Sequence, residues 1–251
     1  MKRSQFSAAI VIAAAGLLLL PGLASATPLN GVLQESNCLG GGVTVTLTSI
    51  TWLGGTGCTT TSTTAGIDSA AGTDITSNVG TLLAGVVGTI TDLTAPTTFP
   101  VTDFITFSGT ADGLTSGGAI DFNLAGFSTP STASTNCAAA VSNGQSCIAV
   151  AGSPFLLTSD GSGDTNVTLE LFGTVTDGTL TTAFTGSLET TVPDETPAQV
   201  QSIEQADGSI TTGQTGSLRL VTTPEPASFI MLGSGMIALS LIRKKFKAPR
   251  A

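Results

Sequence analysis

The sequence predicts an all-β domain, an antiparallel β-sandwich or jelly-roll-like fold with one short helix near its C-terminal end. Three observations lead to this prediction. Apolar and polar residues alternate over short runs, which is the period of a half-buried strand. Gly is abundant, with 31 among 251 residues, and Asp-Gly pairs recur between the runs as they do in tight turns. A helix signal occurs only once between the two terminal segments.

The predicted strands follow one another between positions 43 and 221. The clearest is Val43–Ile50, in which Val43, Val45 and Leu47 share one face and threonines the other. The other predicted strands are Thr81–Leu93, Val101–Gly109, Ala119–Phe127, Cys147–Leu157, Val167–Val175, Thr181–Thr191 and Ser209–Val221. Turn signals separate several of them, at Ala111–Gly113, Ser159–Asp164 and Thr176–Gly178. Residues 56–65 predict an exposed loop.

The single helix is predicted over Ala198–Ala206. Thr196 is a suitable N-cap, Pro197 suits the first helical position, and Gln199 completes a capping box. Gly208 is the predicted terminator.

The first 26 residues predict a secretory signal peptide. Lys2 and Arg3 precede an apolar run from Ala8 to Leu20, and small residues at Ala24 and Ala26 flank a predicted cleavage point before Thr27. The exported domain therefore spans residues 27–223 in this prediction. An uncleaved membrane anchor is the alternative, and the short apolar run disfavours it.

The last segment, residues 224–251, has three parts in a fixed order. Pro224, Glu225 and Pro226 precede an uncharged run over residues 227–242, which predicts a transmembrane helix with Lys and Arg on its far side. This order resembles the PEP-CTERM sorting signal of bacterial exported proteins, which an exosortase processes at the membrane. An ordinary single-pass anchor is the alternative.

The resemblance covers the sorting signal and leaves the domain upstream unassigned. It implies recognition by the export machinery, transient anchoring through the C-terminal helix, cleavage by an exosortase-type enzyme near Pro224–Pro226, and display at the cell surface or release. It also implies an association with exopolysaccharide.

The charge of the exported part excludes one class of partner. Residues 27–223 contain sixteen Asp and Glu against the single Arg219, a net charge of −15. A chain with one cation cannot neutralise a run of phosphates, so nucleic-acid binding is excluded. The chain also contains no His and no Tyr, which removes His-based triads and His-ligated metals, and no cofactor is expected.

Four cysteines in an exported chain predict two disulfides. Three pairings are open, and the sequential one, Cys38–Cys58 with Cys137–Cys147, is favoured because each bond closes a short polar loop.

The candidate chemical sites are weak. Asp160, Ser162 and Asp164 alternate as ligands of Ca²⁺ do, but the pattern fails further along, which favours an acidic turn. A carboxylate-based hydrolase would need two acids held together from the set Asp103, Asp112, Asp121, Glu170 and Glu189. Trp52 is predicted to be a core residue rather than a sugar-stacking platform.

These observations favour a non-enzymatic exported surface or extracellular-matrix protein. A glycan- or Ca²⁺-binding matrix module is the second hypothesis, and a carboxylate-based hydrolase is the third.

Overall fold

The computed structural model of the protein describes residues 29–55, 64–95, 97–108, 114, 118–128, 130, 134–206 and 208–221. These residues form antiparallel β-sheets and one α-helix, which confirms the predicted all-β class with a single short helix. Within the described part of the chain, no helix is both long and apolar enough to cross a membrane. The predicted signal peptide and the predicted transmembrane helix lie outside the described residues.

The strands are numbered in chain order. They are β1 (Asn30–Asn37), β2 (Gly42–Val45), β3 (Ser49–Leu53), β4 (Thr64–Ser69), β5 (Asp74–Ser77), β6 (Gly80–Leu83), β7 (Val87–Thr91), β8 (Leu93–Thr94), β9 (Val101–Ser108), β10 (Ala119–Phe127), β11 (Ser146–Cys147), β12 (Phe155–Ser159), β13 (Thr165–Thr176), β14 (Thr181–Val192), β15 (Ile210–Thr212) and β16 (Gln214–Val221). The helix α1 spans Pro197–Gln205, and a 3-10 turn spans Cys137–Ala139.

The larger sheet closes on itself. Its strands run in the order β10-β9-β7-β4-β1-β16-β14-β13, and a further antiparallel pairing of β10 with β13 joins the two ends of this path. Strand β13 makes this possible because it is long: its first half pairs with β12 and its second half with β10. Eight strands therefore form a continuous hydrogen-bonded ring.

A smaller sheet of four strands, in the order β15-β2-β3-β8, packs against the larger one. The Trp52 ring on β3 meets the Phe104 ring on β9 edge to face, with ring centroids 5.8 Å apart. Phe122 and Phe184 meet in the same way across the larger sheet, at 5.3 Å. These aromatic rings and the aliphatic side chains of both sheets belong to one apolar core.

Alternation along β13, β14 and β16 places one set of side chains in this core and the other set in solvent. On β16, for example, Leu218 and Leu220 are buried while Arg219 and Val221 are exposed. The inward set comprises mostly apolar residues, as the alternation in the sequence predicts.

Several predicted strands are shorter than expected, because turns interrupt them. The run Val43–Ile50 is a hairpin of β2 and β3: Val43 and Val45 are buried as predicted, but the Thr46 hydroxyl bonds to Ser49 and turns the chain. Turns also divide the runs Thr81–Leu93 and Cys147–Leu157, whereas Ser209–Val221 is divided at Gly213, where the chain passes from the smaller sheet to the larger one. Strands β1, β4 and β5 were not predicted.

Helix α1 begins as predicted. The Gln199 Oε1 accepts hydrogen bonds from the Thr196 backbone N–H at 2.9 Å and from the Thr196 hydroxyl at 2.6 Å. Its end differs from the prediction, because Gly208 is not in a left-handed conformation. A Cβ at Gly208 would lie 2.7 Å from the Ile203 carbonyl oxygen, so this Gly permits a close approach of the chain to the helix.

Candidate functional site

The sorting residues predicted from the sequence lie outside the described residues. This applies to Ala24 and Ala26 near the first cleavage point, and to Pro224, Glu225 and Pro226 at the second. They stay predictions.

One of the two predicted disulfides is present in the structure. Cys137 and Cys147 are bonded, with their Cα atoms 5.2 Å apart, and both side chains are buried. The bond links the 3-10 turn to the short strand β11. Cys38 is also buried and disulfide-bonded, but its predicted partner Cys58 lies outside the described residues.

The candidate Ca²⁺ loop is organised as a turn. The Asp160 Oδ1 accepts hydrogen bonds from the backbone N–H groups of Ser162, Gly163 and Asp164, and its Oδ2 accepts one from the Ser162 hydroxyl. The Asp164 Oδ1 accepts the Asp194 N–H at 2.8 Å. The hydrogen bonds from Ser162 lead the effects that hold the pKa of Asp160 below its usual value. This geometry favours the acidic-turn interpretation.

Among the carboxylates that the hydrolase hypothesis would need, the structure brings Asp103 and Asp121 near each other, on β9 and β10. Burial raises the pKa of Asp121, and the Asp103 carboxylate adds to the rise. Asp112 lies outside the described residues. Glu170 and Glu189 are exposed on strands β13 and β14. Within the described ranges, no three His, Cys, Asp or Glu side chains are grouped as metal ligands would be.

One buried polar cluster in the described part of the chain was not predicted. The Trp52 Nε1–H donates to the Gln214 Oε1 at 2.5 Å, and the Gln214 Nε2 donates to the Glu35 Oε1. The Gln214 backbone N–H in turn donates to the Asn37 Oδ1 at 2.6 Å. Trp52, Gln214 and Glu35 are each at most 5% exposed. The side-chain amide of Gln214, on β16, therefore connects its own strand to Trp52 on β3 and to Glu35 on β1.

The pleat of β1 directs the Glu35 side chain into the core, and a Gly on the neighbouring strand leaves space for it there. On β1 it shares the inward face with Leu33, and on β16 its partner is Gly216. A Cβ at Gly216 would lie 2.1 Å from the Glu35 Oε1, so only Gly leaves space for the carboxyl group. Burial raises the pKa of Glu35 to about 8, although the hydrogen bond from Gln214 acts in the opposite direction. The carboxyl group is therefore protonated at neutral pH.

The second carboxyl oxygen of Glu35 has no hydrogen-bond partner among the described residues. Glu204 on α1 is similar: its side chain is fully buried, and neither carboxyl oxygen has a partner in the described part of the chain. Burial raises the pKa of Glu204 to about 7. A buried carboxyl oxygen without a hydrogen-bond partner lowers the stability of the folded state, so its presence calls for an explanation.

Trp52 is a core residue, as expected, with 4% of its side chain exposed. Sequence alternation could have assigned Gln214 and Glu35 to the inward face of their strands. It could not have joined them, since they lie 179 residues apart and meet only because β1 pairs with β16.

On the outer face, a groove crosses strands β13, β14 and β16. Its lining is mostly polar: Ser128, Glu170, Thr185, Ser187, Ser217 and Arg219. Hydroxyl groups, one carboxylate and one guanidinium group thus face solvent together.

No protein-family model, curated protein or solved structure matches this chain. The fold and these sites define a class nevertheless: an acidic, disulfide-bonded, antiparallel β-protein with a polar cluster in its core.

Proposed function

We propose that this is a non-enzymatic exported protein that acts at the cell surface or in the extracellular matrix after sorting by an exosortase-type system. In this proposal residues 1–26 are removed at export, and residues 227–242 hold the chain in the membrane until cleavage near Pro224–Pro226. The mature domain, residues 27–223, then associates with exopolysaccharide.

The buried Cys137–Cys147 disulfide is the observation that carries this proposal. Disulfides form and persist outside the reducing cytosol, and they are rare in cytosolic proteins. A second bonded cysteine, Cys38, agrees with folding in an oxidising compartment. The net charge of −15 over residues 27–223 favours solubility outside the cell and opposes adhesion to nucleic acid or anionic lipid.

We also propose that the two sheets of this domain pack face to face, as in a β-sandwich. Support comes from side chains of both sheets that line one apolar cavity, among them Val43 and Ile50 from the smaller sheet and Val167 and Leu188 from the larger.

Replacement of Pro224, Glu225 and Pro226 by alanines in a bacterium with an exosortase-type enzyme tests the sorting proposal. Export is expected to continue, while C-terminal processing stops and the protein stays in the membrane fraction. Replacement of Thr222 and Thr223 by alanines is the matched control, since it changes neighbouring residues and leaves the tripeptide intact. Unchanged C-terminal processing of the triple variant would show that this segment is an ordinary membrane anchor and not an exosortase signal.

A second candidate function, a glycan-binding module of the matrix, is favoured by the outer groove. Its hydroxyl groups, with Glu170 and Arg219 beside them, are suited to hydrogen bonds with a polyhydroxylated ligand. A glycan array with the exported protein tests this function. Glycan binding that is lost in the Arg219→Ala variant would support the glycan-binding function. The absence of binding to any glycan on the array would favour the purely structural role.

A further inference from the structure

The side-chain amide of Gln214 is buried between an indole N–H and a carboxyl group. Its carbonyl oxygen accepts the Trp52 indole N–H, and its nitrogen donates to the carboxyl group of Glu35. On the other side of β16, Thr190 of β14 is its direct cross-strand partner. Thr190 and Gln214 are both buried, with 8% and 5% exposure.

Cross-strand partners on one face of an antiparallel pair are close neighbours, with Cβ atoms about 5 Å apart. The Thr190 hydroxyl donates a hydrogen bond to the Gly213 carbonyl oxygen at 2.5 Å, so this side chain is directed along β16, beside Gln214. Thr190, Gln214 and Trp52 also line the same apolar cavity between the two sheets. A hydroxyl group and a carboxamide, both almost fully buried, thus line the same apolar cavity.

Each group around the amide suits one part of an acyl transfer. A hydroxyl oxygen is the nucleophile in many acyl transfers. An N–H that points at the carbonyl oxygen stabilises the negative charge that develops there, as the Trp52 indole would do. A carboxyl group that contacts the nitrogen can carry a proton to the leaving group. Glu35 is in contact with that nitrogen and is protonated at neutral pH.

From this arrangement we propose that Thr190 and Gln214 form an intramolecular ester cross-link between strands β14 and β16. The bond from the Thr190 Oγ1 to the Gln214 Cδ forms, and the bond from Cδ to Nε2 breaks. The leaving nitrogen takes up one proton from Glu35, the carboxyl group in contact with it, and departs as ammonia; the proton released by the Thr190 hydroxyl, which is donated to the Gly213 carbonyl oxygen, restores the Glu35 carboxyl group after the step. The step needs no cofactor and no oxidant, and its only by-product is ammonia.

The site also accounts for the otherwise costly burial of Glu35. A carboxyl group with one unpartnered oxygen destabilises a core, but the same group is useful if it moves a proton during a reaction that happens once. Confinement of the two reactants on paired strands replaces a bimolecular encounter, and exclusion of water protects the ester from hydrolysis.

Mass spectrometry of the exported full-length gene product, after reduction and alkylation, tests the proposal. The mass is compared with that calculated from the sequence between the termini actually found. The cross-linked protein is expected to be lighter by about 17 Da, the mass of the ammonia lost in the acyl transfer. A peptide map is expected to show one branched peptide that joins β14 to β16. An intact mass equal to the calculated one, with separate peptides, overturns the proposal.

Three variants distinguish the ester from other losses of ammonia. Thr190→Ser keeps the hydroxyl group and is expected to retain the mass loss, whereas Thr190→Val and Glu35→Gln are expected to abolish it. The sequences Asn30-Gly31 and Asn143-Gly144 could also lose ammonia by cyclisation. A loss that persists in Thr190→Val therefore contradicts the proposal. The peptide map of the unmodified sequence decides the question even if a variant does not fold.

Discussion

The carboxylate of Asp177, in the turn between β13 and β14, accepts a hydrogen bond from the backbone N–H of Asn78, 99 residues earlier in the chain, at 2.9 Å. The same carboxylate accepts the backbone N–H groups of Thr179 and Leu180. One side chain therefore closes its own hairpin and ties it to the hairpin of β5 and β6. Burial acts to raise the pKa of Asp177, but these hydrogen bonds outweigh it and hold the pKa below its usual value.

Asp177→Ala is expected to lower the free energy of unfolding by about 2 kcal/mol, because several backbone donors lose a charged acceptor. Chemical denaturation at neutral pH measures the change. Since the folded-state pKa is depressed, the contribution of Asp177 is present at neutral pH and is lost as the pH falls through that pKa. The difference between the two proteins should therefore shrink in acid. Asp177→Asn, which keeps one acceptor oxygen, is the matched control and should be affected less.

The two buried glutamates predict the opposite dependence on pH. Because burial raises the pKa of Glu35 to about 8 and of Glu204 to about 7, the folded state binds more protons than the unfolded state above pH 4.5. The free energy of unfolding is therefore expected to fall as the pH rises from about 4.5 to about 8. Glu204→Gln and Glu35→Gln should each reduce this slope, and Glu204→Gln, which lies outside the proposed cross-link site, should stabilise the protein at pH 8 by on the order of 1 kcal/mol. Thermal melts across this range provide the measurement, with the exposed Glu189→Gln as control. A slope that both buried variants leave unchanged would contradict the prediction.

Much of the fold is predictable from local pattern. The strands Ala119–Phe127 and Thr165–Thr176 lie close to their predicted positions, because alternation over nine or more residues defines the buried face. Val101–Ser108 also lies close to its predicted position, although Phe104 and Ile105 are buried consecutively. Strand β4 was missed because its buried residues are consecutive, Ala65, Gly66 and Ile67, and show no period of two. The hairpin at Thr46 was missed because a Thr hydroxyl, without Gly or Pro, forms the turn.

The site was less predictable than the fold. The sequence indicated the Cys137–Cys147 bond because the cysteines are few and close. The contact between Glu35 and Gln214 depends on which strands become neighbours, and a single sequence does not specify the pairing of its first strand with its last. The absence of a side chain at Gly216, which makes room for Glu35, has meaning only once that pairing is known.

Gly216→Ala tests the close packing over Glu35. The added Cβ would lie 2.1 Å from the Glu35 Oε1 and 2.7 Å from a methyl carbon of Leu188, so the core must shift. We expect destabilisation of about 2 kcal/mol, within the range for overpacked cores. Gly213→Ala, one residue before the same strand, is the matched control, since no neighbouring atom lies within 4 Å of its added Cβ. Chemical denaturation of both variants measures the difference, and equal effects would show that the core adapts.

The Cys137–Cys147 disulfide is expected to stabilise the folded protein by restricting the unfolded chain. Its loop has a sequence separation of 10, for which the chain-entropy model gives about 3 kcal/mol. The double variant Cys137→Ser with Cys147→Ser is expected to lose about this much in denaturation experiments. A peptide map that joins Cys38 to Cys58 would complete the predicted pairing, and a map that joins Cys38 to any other cysteine would refute it.

Divalent cations are expected to act on this protein only by screening its negative charge. The Asp160 carboxylate is already surrounded by backbone N–H donors, so it is poorly placed to ligate a cation. Melting temperatures should rise gradually in CaCl₂ and MgCl₂, and equally in NaCl at matched ionic strength. A saturable preference for Ca²⁺ that disappears in the double variant Asp160→Asn with Asp164→Asn would contradict this expectation.

The pairing of β1 with β16 also determines at which end of the larger sheet the chain leaves the domain after Val221. Val32 lies opposite Arg219, and Ala183 lies opposite Val221, so the first and last described strands begin and end at the same pole of the larger sheet. The turn that contains Asp160 lies at the other pole, where β13 begins. If the chain after Val221 tethers the protein to a membrane, as proposed, this turn lies at the pole of the larger sheet farthest from the tether.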